Sequence, residues 1–440
     1  MYRRIQDELE NWKNTPQRKP MLITGVRQCG KTYTIRAFGE AFFPEIAYIN
    51  FEESGDYAAV FDYDFDTERI LNELGLLTCG HPIDPAGTLI VFDEIQECPR
   101  AITSLKYFCE DEKEYWLICA GSLLGVELKR KNVSFPVGKV DRLQMYPMCF
   151  EEFLLASEEK DLHTLISGFD PARPLPEAVS HRLEQQLRLY LLTGGMPYVV
   201  RRWFETRDYH VIDKALDTLL QDYRDDFSKH ADAIDIPRLS QIWTSVPQQL
   251  AKDNQKFVFS HVHEGGRARD LEDSMQWLVD AGLVYKQCRV TVPALPLSGC
   301  ADDSFFKVYL CDVGLMRRLS RISCEALLLP PSGFSPYRGA ITENYVLTEL
   351  IASGYHPCFW KSKHTAEVDF LVEHHADIIP VEVKSATHTR AKSLALYCKT
   401  FKPRLAVKVS MKNIGIADHN GVRMIQLPLY LFWRLPVYCA

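Results

Sequence analysis

The stretch Gly25-Val26-Arg27-Gln28-Cys29-Gly30-Lys31-Thr32 fits G-x-x-x-x-G-K-[ST], the phosphate-binding loop. The apolar run Met21 to Thr24 before it reads as a buried strand, and Thr32 to Phe43 after it reads as a helix. Gly25 and Gly30 let the backbone turn so that successive N–H groups face phosphate oxygens at a helix N-terminus. Lys31 is spaced to reach the β- and γ-phosphates, and Thr32 to set its hydroxyl on Mg²⁺. All eight residues, Gly25, Val26, Arg27, Gln28, Cys29, Gly30, Lys31 and Thr32, are therefore candidate nucleotide-binding residues.

A second apolar strand, Leu89 to Phe92, ends in Asp93-Glu94. Carboxylates at the C-terminal end of a strand fall where open α/β sheets bind ligands. Asp93 is placed to hold Mg²⁺, and Glu94 to orient and deprotonate the attacking water. That pair points to hydrolysis of ATP, with ATP and Mg²⁺ as the expected cofactors. Tyr115 to Ala120 supplies another strand, stopping at Gly121-Ser122, where Ser122 is a candidate γ-phosphate or water sensor and equally a turn residue. Ala47 to Phe51 and Arg142 to Tyr146 complete five strands of a doubly wound parallel sheet. Arg100, Arg130, Lys139 and Arg142 are candidate fingers toward the nucleotide of a neighbouring subunit, so a homo-oligomer is compatible with the pattern. Nothing in the sequence chooses among them.

At 440 residues the chain is too long for a single core. Its apolar content of 46% and charged content of 25% are ordinary for a water-soluble protein. No segment is long and apolar enough to span a bilayer, and Met1 to Trp12 is too charged for a secretory signal. The thirteen cysteines contain no C-x-x-C pair, which fits reduced thiols and a cytoplasmic location. The net charge of −7 is uneven: Val381 to Ala440 holds ten Lys/Arg against two Asp/Glu, leaving residues 1–380 at −15. A basic tail on an acidic chain is a nucleic-acid footprint or a solvated surface.

The middle of the chain turns helical after Phe150-Glu151-Glu152-Phe153 and breaks at Gly194-Gly195-Met196-Pro197, which reads as a helical lid or an unrelated helical linker. From Pro237 to Val292 the pattern is a helix (Leu239 to Ala251), a strand (Phe257-Val258-Phe259), a helix (Arg269 to Ala281) and β-wing segments at Leu283-Val284-Tyr285 and Arg289-Val290. This order matches a winged helix. Arg267 and Arg269 are placed to touch DNA backbone, but Asp270, Glu272, Asp273 and Asp280 on the same helix favour a structural or protein-binding role.

Near the C-terminus Glu367-Val368-Asp369-Phe370-Leu371-Val372 and Pro380-Val381-Glu382-Val383-Lys384-Ser385 alternate like two strands of a hairpin. The hairpin would gather Asp369, Glu382 and Lys384, with Glu343 from the helix-like Thr342 to Ser353 completing the set. Asp369 and Glu382 would hold a divalent ion and Lys384 would position or activate its water. This D-x(n)-E-x-K order is that of PD-(D/E)XK nucleases, with DNA or RNA as the expected partner. The bland alternative makes Glu382 and Lys384 the solvated side of an amphipathic strand.

In the order of its motifs the chain resembles prokaryotic AAA-type ATP-binding proteins that end in a PD-(D/E)XK nuclease-like domain. The resemblance is carried by the phosphate loop, Phe92-Asp93-Glu94-Ile95-Gln96, Ala120-Gly121-Ser122, Tyr146 to Phe153, Leu192 to Pro197, Tyr309 to Leu315, Glu343-Asn344, Glu367 to Phe370 and Val381 to Ser385. The family usually has Gly-Arg where this chain has Gly138-Lys139, which would weaken planar recognition of a neighbour's phosphate. The resemblance implies an α/β P-loop ATPase core at residues 1–155 and a helical lid at 156–235. A winged helix at 236–295 and a small α/β restriction-endonuclease-like domain at 296–440 would follow.

Overall fold

The computed structural model describes residues 1–122, 135–157, 159–263, 266–328, 335–362, 365–384 and 392–439. Arg130 and Ser385 lie outside the described residues. The chain divides into two units: Met1–Pro147 with Asp280–Gly282, and Met148–Val279 with Leu283–Ala440.

The first unit is built on five parallel strands, β1 (Met21–Thr24), β2 (Glu45–Asn50), β3 (Thr88–Asp93), β4 (Trp116–Gly121) and β5 (Asp141–Gln144). Their order is β2-β3-β4-β1-β5, so β4 lies between the strand that opens the phosphate loop and the strand that ends in Asp93. Every residue of β3 is buried, as its apolar run requires when helices cover both faces of a parallel sheet. The helix Lys31–Phe42 turns Ile35, Phe38 and Gly39 inward at helical spacing. Phe51, Phe61, Phe92, Phe108 and Tyr115 form a chain of edge-on ring contacts, with centroids 5.2–6.1 Å apart, that braces β3.

The second unit holds a mixed eight-stranded sheet of β6 (Val284–Val290), β7 (Ala301–Leu310), β8 (Cys358–Lys361), β9 (Glu367–His374), β10 (Asp377–Val383), β11 (Leu405–Ser410), β12 (Gly415–His419) and β13 (Val422–Pro428). The order is β12-β13-β11-β10-β9-β8-β6-β7. β9 and β10 form the expected antiparallel hairpin, with Val381 opposite Phe370. Two local expectations need correction. Phe257 to Phe259 form no strand; the Phe257 ring stacks on Phe306 at 5.9 Å, and a 3-10 turn begins at Phe259. The two expected wing segments are one continuous strand, β6, paired with β7 and also with β8, so the hairpin belongs to the same sheet as the later strands.

Helices Glu177–Thr193, Pro197–Thr206 and Tyr209–His230 carry the helical pattern read in the middle of the chain. The break at Gly194 has a steric cause: its φ is +69°, and a Cβ there would lie 2.2 Å from Asp312 Oδ1. Asp312 is buried, accepts from Gly195 N at 2.6 Å and caps the helix Val313–Leu319 through Leu315 N at 2.9 Å. Two motifs far apart in sequence, Leu192 to Pro197 and Tyr309 to Leu315, are thus one structural junction. Burial raises the Asp312 carboxyl to about 6, against the opposing pull of the nearby backbone N–H groups, Gly195 first.

Candidate functional site

The strand order places the nucleotide-facing residues. β1, β4 and β3 end side by side, so the phosphate loop, Ser122 and the Asp93-Glu94 pair emerge along one edge of the sheet. Within the loop Gly25 has φ +154° and Gly30 +97°, and Gln28 also lies at positive φ, +63°. A Cβ at Gly25 would stand 2.1 Å from the carbonyl oxygen of Met145, so that position has room for no side chain. Arg3, itself buried, donates to Cys29 O at 2.7 Å and to Tyr146 O at 2.5 Å, tying the chain's first turn to the loop's back.

Lys31 Nζ donates to Gly25 O at 2.9 Å and Val26 O at 3.1 Å, which keeps the ammonium folded over the loop. Thr32 Oγ1 donates to Asp93 Oδ2 at 2.8 Å. This pairs the two expected Mg²⁺ ligands in space, as the loop chemistry requires. Tyr48 donates a short hydrogen bond to the same carboxylate oxygen, and Arg36 lies 4.0 Å above the Tyr48 ring. Burial, with Asp93 adding to it, lifts the Tyr48 phenol above its ordinary value, so it stays a donor. A hard cation fits this oxygen pair: Asp93 is 3% exposed, and its Oδ2 accepts from two neutral hydroxyls, those of Thr32 and Tyr48.

Glu94 sits at φ +48°, a left-handed conformation uncommon for a side chain with a Cβ and a form of strain that gathers at functional sites. Its Oε2 accepts from Gln96 Nε2 at 2.5 Å and Ser122 Oγ at 3.4 Å. Ser122 is therefore placed against the candidate base. Tyr48 and Arg3 escaped the sequence reading, and Gln96 entered it only as the last residue of the Phe92 to Gln96 motif, with no role assigned. Of the candidate fingers, Arg100 bonds Phe61 O at 2.5 Å, Lys139 pairs with Glu110 at 2.8 Å and Arg142 lies 4.2 Å over the Phe135 ring.

In the second unit one face of the sheet carries the expected acidic set. Val383 N donates to Asp369 Oδ2 at 2.7 Å, which fixes Asp369 beside β10. Glu382 is 3% exposed; its Oε1 meets Lys384 Nζ at 2.7 Å, while its buried Oε2 has no hydrogen-bond partner among the described residues. The solvated-strand alternative fails on that burial. Glu343, from the helix Ser335–Ala352, accepts from Gln255 Nε2 at 2.8 Å.

The sequence reading missed Lys307, whose side chain is 1% exposed and which lies 2.7 Å from Glu367 and 3.8 Å from Glu343. Gln255 also bonds it, and Lys361 reaches the other Glu367 oxygen at 2.8 Å. Gln287 bridges Asp369 O and Cys358 O, at 2.8 and 3.1 Å. The signal was present: Lys307 is a lone charge in the apolar run Phe305-Phe306-Lys307-Val308-Tyr309-Leu310.

Burial and the neighbouring Asp369 charge push Glu382 up to about 8; burial pushes Glu343 up to about 7 despite Lys307, and raises Asp369 as well. Glu367 goes the other way, because Lys307 and Lys361 outweigh its burial. Among the described residues no three His, Cys, Asp or Glu side chains converge as a ready metal cage. The basic C-terminal stretch is no single surface either, since Arg434 is buried on Ile166 O and Arg404 pairs with Asp377.

A family described as an AAA domain matches residues 17–154. Residues 17–154 are an AAA-type, ATP-binding P-loop domain. Two families described as domains of unknown function also match, DUF8612 over residues 184–326 and DUF4143 over 338–430. No curated protein matches the chain significantly.

Among solved structures, the Walker-type ATPase PABY2304 of Pyrococcus abyssi is 15% identical, with a TM-score of 0.44 over 72% of this chain and 94% of that one. The Aeropyrum pernix ORC2 protein in ADPNP-ADP complexes is 13% identical, with a TM-score of 0.37 over 73% and 92%. The Aeropyrum pernix ORC1 protein in complex with DNA is 15% identical, with a TM-score of 0.26 over 74% and 92%. All three are distant likenesses.

The thirteen cysteines form no disulfide, and among the described residues no helix is long and apolar enough to cross a membrane.

Proposed function

We propose that the chain is a Mg²⁺-dependent ATPase whose nucleotide state controls a C-terminal nuclease-like, nucleic-acid-binding domain. The observation that carries the ATPase part is the pairing of Thr32 with Asp93 at 2.8 Å while Glu94 is held next door by Ser122 and Gln96. ATP with its metal ion would supply the phosphoryl group and most of the charge compensation. The loop backbone from Gly25 to Thr32 binds the phosphate chain, and Lys31 exchanges two carbonyl partners for phosphate oxygens. Thr32 and Asp93 would hold the ion, and Glu94 would orient a water and accept its proton.

For the remainder we propose a helical lid at residues 156–235 and a restriction-endonuclease-like fold at 296–440; the helices of 236–295 stand as a structural module whose expected wing, β6, is shared with the sheet of that fold. Asp369 and Glu382 would hold a divalent ion there, with the unpartnered Glu382 Oε2 as the atom that fits it. Lys384 would steady the water and Glu343 complete the acidic wall. DNA or RNA is the partner this chemistry would cut, in a cytoplasmic and oligomeric protein.

A second reading makes the C-terminal domain a non-cleaving binding module switched by nucleotide. The absence of a ready three-residue metal cage among the described residues favours it.

The test is ATP turnover with and without DNA and RNA, combined with cleavage of plasmid and single-stranded substrates in Mg²⁺ and Mn²⁺. Cleavage abolished by Asp369→Ala supports the first reading. Nucleic-acid binding with no cleavage supports the second, and ATP turnover indifferent to every nucleic acid removes the partner from both.

A further inference from the structure

The acidic face of the second unit holds four carboxylates, Glu343, Glu367, Asp369 and Glu382, yet they do not share their cations evenly. Lys307 enters from β7 and meets Glu367 at 2.7 Å and Glu343 at 3.8 Å. Gln255 bonds both that ammonium and Glu343, clamping the three together. Lys361 closes the other side of Glu367 at 2.8 Å. The half of the cluster made by Glu343 and Glu367 is therefore filled. In the other half Lys384 takes one oxygen of Glu382 at 2.7 Å, and Val383 N takes one of Asp369 at 2.7 Å. Glu382 Oε2 is left buried and without a partner among the described residues.

Electroneutrality gives the same division. In the ion-bound state, with all groups ionised, four carboxylates face three ammonium groups, one charge short of balance. One divalent ion turns that deficit into a single positive charge, which a phosphodiester would neutralise. Two divalent ions would leave a large positive excess in a buried site, which low polarizability penalises. A lysine that is fully withdrawn from water among carboxylates does the electrostatic work of a metal ion without needing one.

We propose that the Lys307 ammonium stands where a second cation would otherwise sit, so that this cluster takes one divalent ion, at Asp369 and Glu382. The inference rests on the metal-binding reading of the C-terminal domain. It assigns Lys307 as a positioning residue that holds Glu343 and Glu367 away from the ion, and it separates Glu343 from the metal ligands.

The experiment is Mn²⁺ titration of the full-length, EDTA-stripped chain without nucleotide, reading free Mn²⁺ by its paramagnetic resonance signal. The ion of interest is the one lost in Asp369→Asn. The wild type is expected to hold one such ion, Glu382→Gln to lose it, and Glu343→Gln to keep it. Lys307→Met is expected to bind one more than the wild type, and Lys307→Arg the same number. Should Lys307→Met fold only when Mn²⁺ is present, the ion has replaced the ammonium and the inference stands.

Two ions lost on going from the wild type to Asp369→Asn, loss of the ion in Glu343→Gln, or a folded Lys307→Met with no added ion overturns the inference alone. Equal binding by the wild type and Asp369→Asn overturns the metal reading and the inference together.

Discussion

Replacing Asp312 by alanine tests how the second unit is locked. The carboxylate accepts from Gly195 N at 2.6 Å and Leu315 N at 2.9 Å, and the side chain is buried, so alanine strands two backbone donors out of reach of water. Each orphaned donor costs about 1–3 kcal/mol, and loss of a helix cap falls in the same range. The expected loss is ~2–4 kcal/mol at neutral pH, below a simple sum because the wild-type carboxylate is itself penalised by burial.

That penalty sets the pH dependence. The folded value of about 6 lies above the ordinary 3.8, so the group's contribution to stability is fullest below 3.8 and is lost as pH rises through 6. Moving from pH 7 to pH 5 should widen the gap between wild type and Asp312→Ala by ~1.4 kcal/mol, one pK unit's worth. Scanning calorimetry of the full chain, following the transition that Asp312→Ala moves, measures both quantities. A loss below about 0.5 kcal/mol at pH 7, the range of ordinary surface substitutions, refutes the argument, as does a gap that narrows toward pH 5.

Two further outcomes follow from the nucleotide site. Gly25→Ala brings a Cβ to 2.1 Å from Met145 O, so the loop must shift and affinity for a fluorescent ATP analogue should fall about tenfold or more, ~1.4 kcal/mol; unchanged affinity removes the steric argument. Tyr48→Phe deletes a hydroxyl bonded to Asp93 and should raise the Mg²⁺ concentration for half-maximal turnover about tenfold, as outer-shell losses do at metal sites. An unaltered Mg²⁺ requirement would show that Thr32 and the Glu94 backbone N–H suffice to orient Asp93.

The nucleotide half was legible because its signals are local. A glycine loop between a short apolar strand and an amphipathic helix, Met21 to Phe42, and an apolar run ending in Asp93-Glu94 are each one continuous stretch of chain. Tyr48 was invisible because its contact with Asp93 spans 45 positions and depends on β2 lying beside β3.

In the second unit the β9–β10 hairpin could be read from alternation, and with it Asp369 and Glu382. The eight-stranded sheet could not, since β6 reaches β8 across some seventy residues that include β7 and the helix Val313–Leu319. Phe257 to Phe259 misled because three apolar residues in sequence suit an aromatic stack as well as a strand. Lys307 was overlooked for the opposite reason: a single charge in a hydrophobic strand looks like noise until its carboxylate partners are known. Gly194 and Asp312 read as separate motifs, and only their packing shows them to be one junction.

The central claim is that the Thr32–Asp93–Glu94 arrangement hydrolyses ATP. The most direct measurement is steady-state phosphate release with Mg²⁺-ATP by the wild type and by Glu94→Gln, alongside nucleotide affinity for both. The account predicts that Glu94→Gln binds ATP like the wild type while turnover drops by ~10²–10⁴-fold, the contribution of a positioned general base. Turnover in Glu94→Gln equal to that of the wild type would contradict it.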